Sequence, residues 1–381
     1  MKYAISTLLR LTYRTYFDNK GTAARLTVKR FFVMSFFLPI FFLLQLFHFF
    51  GLALDNLLFK GYQNIQVKEP LFIIGIPRSG TTFLHKVLAK DTDRTTTFTL
   101  WELIFAPSII EKKFWIGLLK LDKWLGSPLS KLISLIERIF ARHMNGIHTI
   151  SLKSPEEDYL ILAPIFACFL LILPFPFDEI WRLAYFDDQM EDNDKIRIMS
   201  FYKSCLQRHL YTWGRDKQLL SKNASFVPFI RSIRKTFPDC KIISTVRNPL
   251  EVVPSQISSV LPGVRIFDND TNHHLFRDRF VDILKHYYKQ LITLLPASPE
   301  KNYLFVLMDD LKQNLEDVVV HIYHHFNYDL SDDFLQYLHV EDDRARKYES
   351  DHHYSLEKFG LNSETIVNDF GFVYDFFDFK N

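Results

Sequence analysis

The chain predicts an α/β fold: a parallel sheet flanked by helices, with a hydrophobic helical segment in front of it. Three observations carry this. Leu71-Phe-Ile-Ile-Gly-Ile76 is a short apolar run of the kind buried on both faces, and Pro77 and Gly80 break it before the helical Phe83-Leu84-His85-Lys86-Val87-Leu88. Lys241 to Val246 repeats the pattern, ending at Arg247, with Asn248-Pro249 opening another helix. A third apolar run, Tyr303 to Met308, follows a helical stretch from Asp278 to Leu295 and precedes another from Leu315 to Phe326. Strands alternating with helices in this way build parallel crossovers.

The 381 residues suit one large domain or two smaller ones, and 48% apolar residues, 38 of them Phe, supply a sizeable core. A net charge of +2 with no dense basic stripe gives no footprint for nucleic acid. Cys168, Cys205 and Cys240 are scattered without a CxxC pair, against a disulfide framework or a zinc site, and suit a reducing compartment. Histidines fall in adjacent pairs such as His324-His325, which do not share a helix face, so no metal site is expected.

Residues 1–64 form the first division. Phe31 to Leu54 is almost wholly apolar and long enough to cross a bilayer, with Lys2, Arg10, Arg14, Lys20, Arg25, Lys29 and Arg30 ahead of it against Asp18 alone. Pro39 and Gly51 divide the run, and only the 16 residues 55–70 separate it from Leu71. A re-entrant or in-plane helical hairpin packed on the domain therefore fits better than a stalked single-pass anchor. Membrane contact through residues 31–59 is expected. Residues 65–330 are expected to form the core, and residues 331–381 a lid or wrap continuous with it.

The core opens on Gly75, four residues, Gly80, Thr81 and Thr82: Walker A spacing with Thr81 in the lysine position and a cation, Arg78, inside the loop. Strand, glycine turn and helix N-terminus together cradle phosphate, so the sheet is expected to be of the P-loop type. With no lysine and no acidic Walker B partner, an anion other than Mg-ATP is indicated.

Asp91 to Thr99 is polar and reads as a loop. Thr99-Leu-Trp-Glu102 is a capping box, and Lys112 to Phe140 holds two amphipathic helices split at Gly126-Ser-Pro128. Ser154-Pro-Glu-Glu157 has the form of a helix start, with Glu157 at the capping position; Glu156 and Glu157 beside Lys153 carry a chemical reading as well. The apolar run 160–177, punctuated by Pro164, Pro174 and Pro176, suits a core or lipid-facing helix rather than a transmembrane one. A further helix from Lys195 to Leu220 leads into Leu219-Leu-Ser-Lys222, an apolar run ending in lysine. Lys222 and Arg247 both stand at strand carboxyl ends, where α/β ligands bind. Ser255 lies one to two turns into the helix after Arg247.

With both anion signals stated, the chain resembles the PAPS-dependent sulfotransferases. Pro77-Arg-Ser-Gly-Thr-Thr82 resembles the family's 5′-phosphosulfate loop, and Arg247, seven residues, then Ser255 resembles its 3′-phosphate motif. Trp101-Glu102, Pro155-Glu-Glu-Asp158, Phe237-Pro-Asp239 and the final aromatic-Gly segment are similar to the bacterial-type group that includes lipoquinone-sulfating enzymes, with protein-tyrosine sulfotransferases next. The resemblance implies that Arg78, Ser79, Gly80, Thr81 and Thr82 hold the 5′-phosphosulfate and that Arg247 and Ser255 hold the 3′-phosphate, with no metal required. It implies Glu102 as general base, by its match to the tyrosine sulfotransferases, with Glu157 and Glu156 as second choices. Lys222 is implied at the leaving bridge oxygen. The hydrophobic segment and the Phe content point to a lipid or terpenoid alcohol as acceptor, with carbohydrate or protein tyrosine as alternatives. From other classes stand a non-catalytic nucleotide-binding membrane protein and a P-loop kinase. The cytoplasmic face of a bacterial inner membrane is the expected location, and a Golgi membrane with a luminal domain the alternative.

Overall fold

The structure, a computed structural model, describes residues 2–143, 151–269, 274–347 and 355–380. Its centre is a five-stranded parallel sheet of β1 (Leu71–Ile73), β2 (Thr95–Thr96), β3 (Gln218–Lys222), β4 (Lys241–Val246) and β5 (Tyr303–Leu307), in the order β2-β3-β1-β4-β5. β1 is central. Leu71 pairs with Leu220 on one side and with Lys241 on the other. Backbone bonds from Ile74 to Ile243 and from Ile76 to Thr245 continue the ladder past the regular strand.

Alternation along β1 divides the core. Phe72, Ile74 and Ile76 join one apolar cluster, whereas Leu71 and Ile73 join another with Leu84, Val87 and Leu88 of α3 (Thr81–Leu88). Burial on both faces at 0% exposure explains why β1 reads as a continuous apolar run rather than as alternation. Each such side chain is worth about 1.5–3 kcal/mol at most.

Before the sheet come α1 (Lys2–Phe17) and α2 (Val28–Leu58). The expectation of a hairpin within the apolar run does not hold. α2 is one helix of 31 residues that passes through both Pro39 and Gly51. Pro39 lies on the exposed side, and packing on either side of it outweighs the roughly 3 kcal/mol that an interior proline costs. Gly51 is buried where a Cβ would press on the Ser108 hydroxyl (2.6 Å). The partner of α2 is α5 (Ile109–Trp124), which follows α4 (Leu100–Phe105) and precedes α6 (Pro128–His143).

Three further expectations are corrected. The polar stretch 91–99 contains β2, a two-residue edge strand too short to show a period. Ser154 to Glu157 does not start an α-helix: Pro155 forms an antiparallel bridge with Thr99, and the Glu156 N–H donates to the Phe98 carbonyl (3.1 Å). Beyond it the prolines break the apolar run into 3-10 turns, Asp158–Ile165 and Phe169–Ile172, largely inside the core. The C-terminal helix Gly371–Phe377 packs back onto the sheet edge, where Tyr374 donates to Asn248 (2.9 Å).

Candidate active site

The three central strands deliver their carboxyl ends to one crevice: the loop after β1, Lys222 at the end of β3, and Arg247 just after β4. This is where a parallel sheet with this strand order receives a ligand.

The loop is shaped by two glycines. Gly75 touches the Thr245 backbone so closely that no Cβ fits. Gly80 has φ 88°, and a Cβ there would run into the Met308 sulfur at the end of β5. Arg78 is also left-handed, at φ 68°. Such reversals gather backbone N–H groups into an anion-binding concavity, and the first N–H groups of α3 have no intrahelical acceptor. The Ser79 hydroxyl is already committed: it is buried and bonded to the Ile76 carbonyl (2.5 Å), the Thr245 carbonyl (2.9 Å) and the Thr245 hydroxyl (2.6 Å). Its work is to pin the loop to β4. Gly80, Thr81 and Thr82 open the helix.

The two distant motifs meet through Arg78. Its Nε donates to the Ser255 hydroxyl (3.0 Å), and Arg247 Nη1 donates to its carbonyl (3.3 Å). The Arg247 guanidinium also pairs with Glu251, one turn into the helix Pro249–Ile266 (Nε to Oε2, 3.0 Å). Tyr288 donates its hydroxyl to the Arg247 carbonyl.

Lys222, 1% exposed, donates to Glu157 (2.7 Å) and lies 3.7 Å from Glu156. Glu157 is thus a partner of the β3 lysine, not a helix cap. What holds it there is a lock that sequence reasoning missed. Asp158 is fully buried and accepts from Tyr202 (2.7 Å), Ser221 (3.0 Å) and Asn223, while the side-chain Oδ1 of Asn223 accepts from the Tyr159 N–H (2.8 Å). Burial pushes the Asp158 carboxyl up to about 6, against the lowering by those hydrogen bonds. The only hint in sequence was adjacency, Asp158 after Glu157 and Asn223 after Lys222.

Glu102 belongs to a different cluster. Its carboxylate accepts from the Thr99 N–H (3.0 Å) and hydroxyl (2.7 Å), the Trp213 indole (2.7 Å) and His209 (3.2 Å), with Lys112 at 3.6 Å. The capping box is present; the other partners come from elsewhere in the fold. Burial alone would raise this carboxyl, but His209, then Lys112 and the Thr99 N–H, hold it well below the usual carboxylate range. Among the described residues, no hydrogen bond or ion pair joins it to Lys222 or to the phosphate loop.

Residues 70–332 match the model of the sulfotransferase family, and the chain belongs to that family. Two curated relatives carry the name omega-hydroxy-beta-dihydromenaquinone-9 sulfotransferase Stf3. Those from Mycobacterium bovis and Mycobacterium tuberculosis are each 26% identical over 201 residues, which is 51% of this chain and 46% of theirs. The chain therefore aligns with less than half the length of these relatives. Among solved structures, sulfotransferase STF1 from M. tuberculosis H37Rv superposes with a TM-score of 0.68 at 18% identity, covering 97% of this chain and 93% of that one. Sulfotransferase STF9 from Mycobacterium avium gives 0.66 at 16%, covering 86% and 81%. These two establish the shared fold.

Proposed function

We propose that the chain transfers a sulfuryl group from PAPS to the hydroxyl of a lipophilic alcohol by in-line displacement. The observation that carries this is the convergence of Arg78, Arg247, Ser255 and the buried Lys222 with its partner Glu157 on the carboxyl ends of β1, β3 and β4. PAPS, when bound, supplies an activated sulfuryl group on a 5′-phosphate.

The chain's own residues do the rest. Gly80, Thr81 and Thr82 offer N–H groups at the N-terminus of α3, with Ser79 pinning the loop and Arg78 adding charge, to hold the 5′ end. Arg247 and Ser255 hold the 3′-phosphate, with Arg binding in its bidentate manner. Lys222 has three N–H donors, so it can keep Glu157 and still stabilise the oxygen released as the S–O bond to the 5′-phosphate breaks. Glu157 takes the acceptor hydroxyl's proton as the new O–S bond forms, and Glu156 is its neighbour in reserve. Glu102, spent on buried donors and held strongly acidic, takes a supporting role: it braces residues 98–101, whose backbone bonds with 152–156 hold the carboxylates in place.

A lipid acceptor is supported by the names of the mycobacterial relatives and by the apolar segments around the site. We place the enzyme at the cytoplasmic face of a bacterial membrane, where PAPS is made; three buried free cysteines fit that compartment. The test is incubation with PAPS and fractionated lipids, followed by mass spectrometry. A sulfated lipid is expected, and sulfated carbohydrate alone overturns the acceptor. Glu157→Gln is expected to keep nucleotide binding and lose about 10²–10⁴-fold in turnover. Full activity in that variant removes Glu157 from the mechanism.

A further inference from the structure

Helix α2 presents two faces suited to different surroundings. The inner face is polar at several depths. Arg30 donates to the carbonyls of Phe267 (2.9 Å) and Pro174 (2.8 Å). His48 pairs with Glu111 (2.7 Å), and Asp55 accepts from the N–H groups of Ile109 (2.8 Å) and Ile110 (3.0 Å) and from Arg208 (2.9 Å). All these side chains are buried.

The outer face is predominantly apolar, with Ser35 and Asn56 as its exposed polar residues beyond the first turn. Phe32, Phe36, Leu43, Phe47, Phe50 and Leu57 follow at helical spacing and are each more than half exposed. Phe31 to Leu54 carries no charge, about 36 Å of helix at 1.5 Å per residue. Neighbouring α5 exposes Phe114, Leu121 and Trp124, the last at 81%.

The charges bordering this surface are nearly all positive. Lys20 and Arg25 precede α2, Lys60 follows it, and Lys113, Lys120 and Lys123 line α5, all exposed. Residues 1–64 hold two carboxylates, Asp18 and Asp55, and Asp55 is buried, as are Glu111 and Asp122 on α5. Lys113 reaches over the Phe59 ring at 4.7 Å, joining the end of α2 to α5.

We propose that α2, with the exposed edge of α5, docks in the plane of an anionic lipid surface as a monotopic helix and does not cross the bilayer. Crossing would strip Arg30, His48 and Asp55 from their partners on α5, on Arg208 and in the 267–269 turn, and set those charges in hydrocarbon. A second copy of the chain on the same face would bring two lysine arrays together. An anionic lipid layer satisfies both the apolar stripe and its cationic border, the composition of an interfacial helix with Trp and Lys at the headgroup level. The position is apt for a lipid reaction without depending on one: Phe41 and Phe37 of α2 pack edge-on against Phe166 and Phe175, in the segment that begins next to Glu157.

The test uses the full-length chain with phosphatidylglycerol-containing vesicles, and its readout needs neither PAPS nor an acceptor. The protein is expected to float with these vesicles and far less with neutral ones. Phe36→Glu with Phe47→Glu is expected to abolish flotation while the melting temperature is kept. Lys113→Glu with Lys123→Glu is expected to remove the preference for anionic lipid. For topology, Lys20→Cys and Lys60→Cys are labelled with an impermeant maleimide on sealed vesicles; the native cysteines are all buried, so background is low. Equal labelling at both ends supports an in-plane helix. Protection of one end means crossing and overturns it, as does failure of the wild-type chain to bind vesicles, whether as a monomer or as a dimer covering the face.

Discussion

Glu251 holds the Arg247 guanidinium in the structure, and releasing that grip is expected to tighten nucleotide binding. The pair joins a side chain 20% exposed to one 46% exposed. An ion pair so open to solvent is worth about 0.2–1 kcal/mol. Glu251→Gln removes this competitor for the 3′-phosphate and is expected to lower the Kd for adenosine 3′,5′-bisphosphate roughly 1.4- to 5-fold. Arg247→Ala removes hydrogen bonds to a charged group, about 1.5–3 kcal/mol, and is expected to raise that Kd roughly 10- to 150-fold. Isothermal titration calorimetry at low and moderate salt measures both, with adenosine 5′-monophosphate as control because it lacks the 3′-phosphate. Neither variant should alter binding of the control. The control also guards against an indirect effect, since Arg247→Ala deletes the 3.3 Å bond to the Arg78 carbonyl and a displaced loop would weaken both ligands. If Glu251→Gln weakens the bisphosphate, or Arg247→Ala weakens both nucleotides alike, Arg247 does not grip the 3′-phosphate.

Gly80→Ala combines a left-handed φ of 88° with a clash against Met308 and is expected to cost about 2–4 kcal/mol, read as a lower urea midpoint together with a lost thermal shift on nucleotide addition. Asp158 titrates near 6 when folded against 3.8 when unfolded. Between those values the folded chain holds a proton the unfolded chain has shed, so this group's contribution is full below pH 3.8 and is lost as pH rises through 6, about 3 kcal/mol in all. Urea midpoints of wild type minus Asp158→Asn should show that fall with rising pH; a flat difference refutes it. Glu102→Gln breaks a buried charge cluster and is expected to destabilise by about 3–5 kcal/mol while leaving turnover per folded molecule within about tenfold. A larger loss of turnover without loss of stability would return Glu102 to the chemistry.

The parts legible in sequence are those made by neighbours along the chain. β1, its glycine turn and α3 are contiguous, and so are β4, Arg247 and the proline-led helix carrying Ser255. Strand order was not legible, because Leu71 finds its partners at Leu220 and Lys241. Ser154-Pro-Glu-Glu157 shows why local pattern fails: it has the residues of a helix start, but Lys222 and the Asp158 lock outbid a cap that would have faced solvent. Glu102 is the mixed case, a capping box that local reading found and a buried network with His209 and Trp213 that it had no means to see.

The central position of β1 also bears on how the chain is made. Both neighbours of Leu71–Ile73 belong to strands that end at Lys222 and Val246, so β1 stays unpaired until about 150 more residues have been synthesised and lacks its second neighbour until about 170. At ribosomal speeds this is on the order of 10–35 s, and parallel pairing at such separations is slow in any case. α2, built entirely from local hydrogen bonds, needs no such wait. The nascent chain therefore carries an apolar helix and an unpaired strand together, and the crevice at the strand ends is among the last features to form.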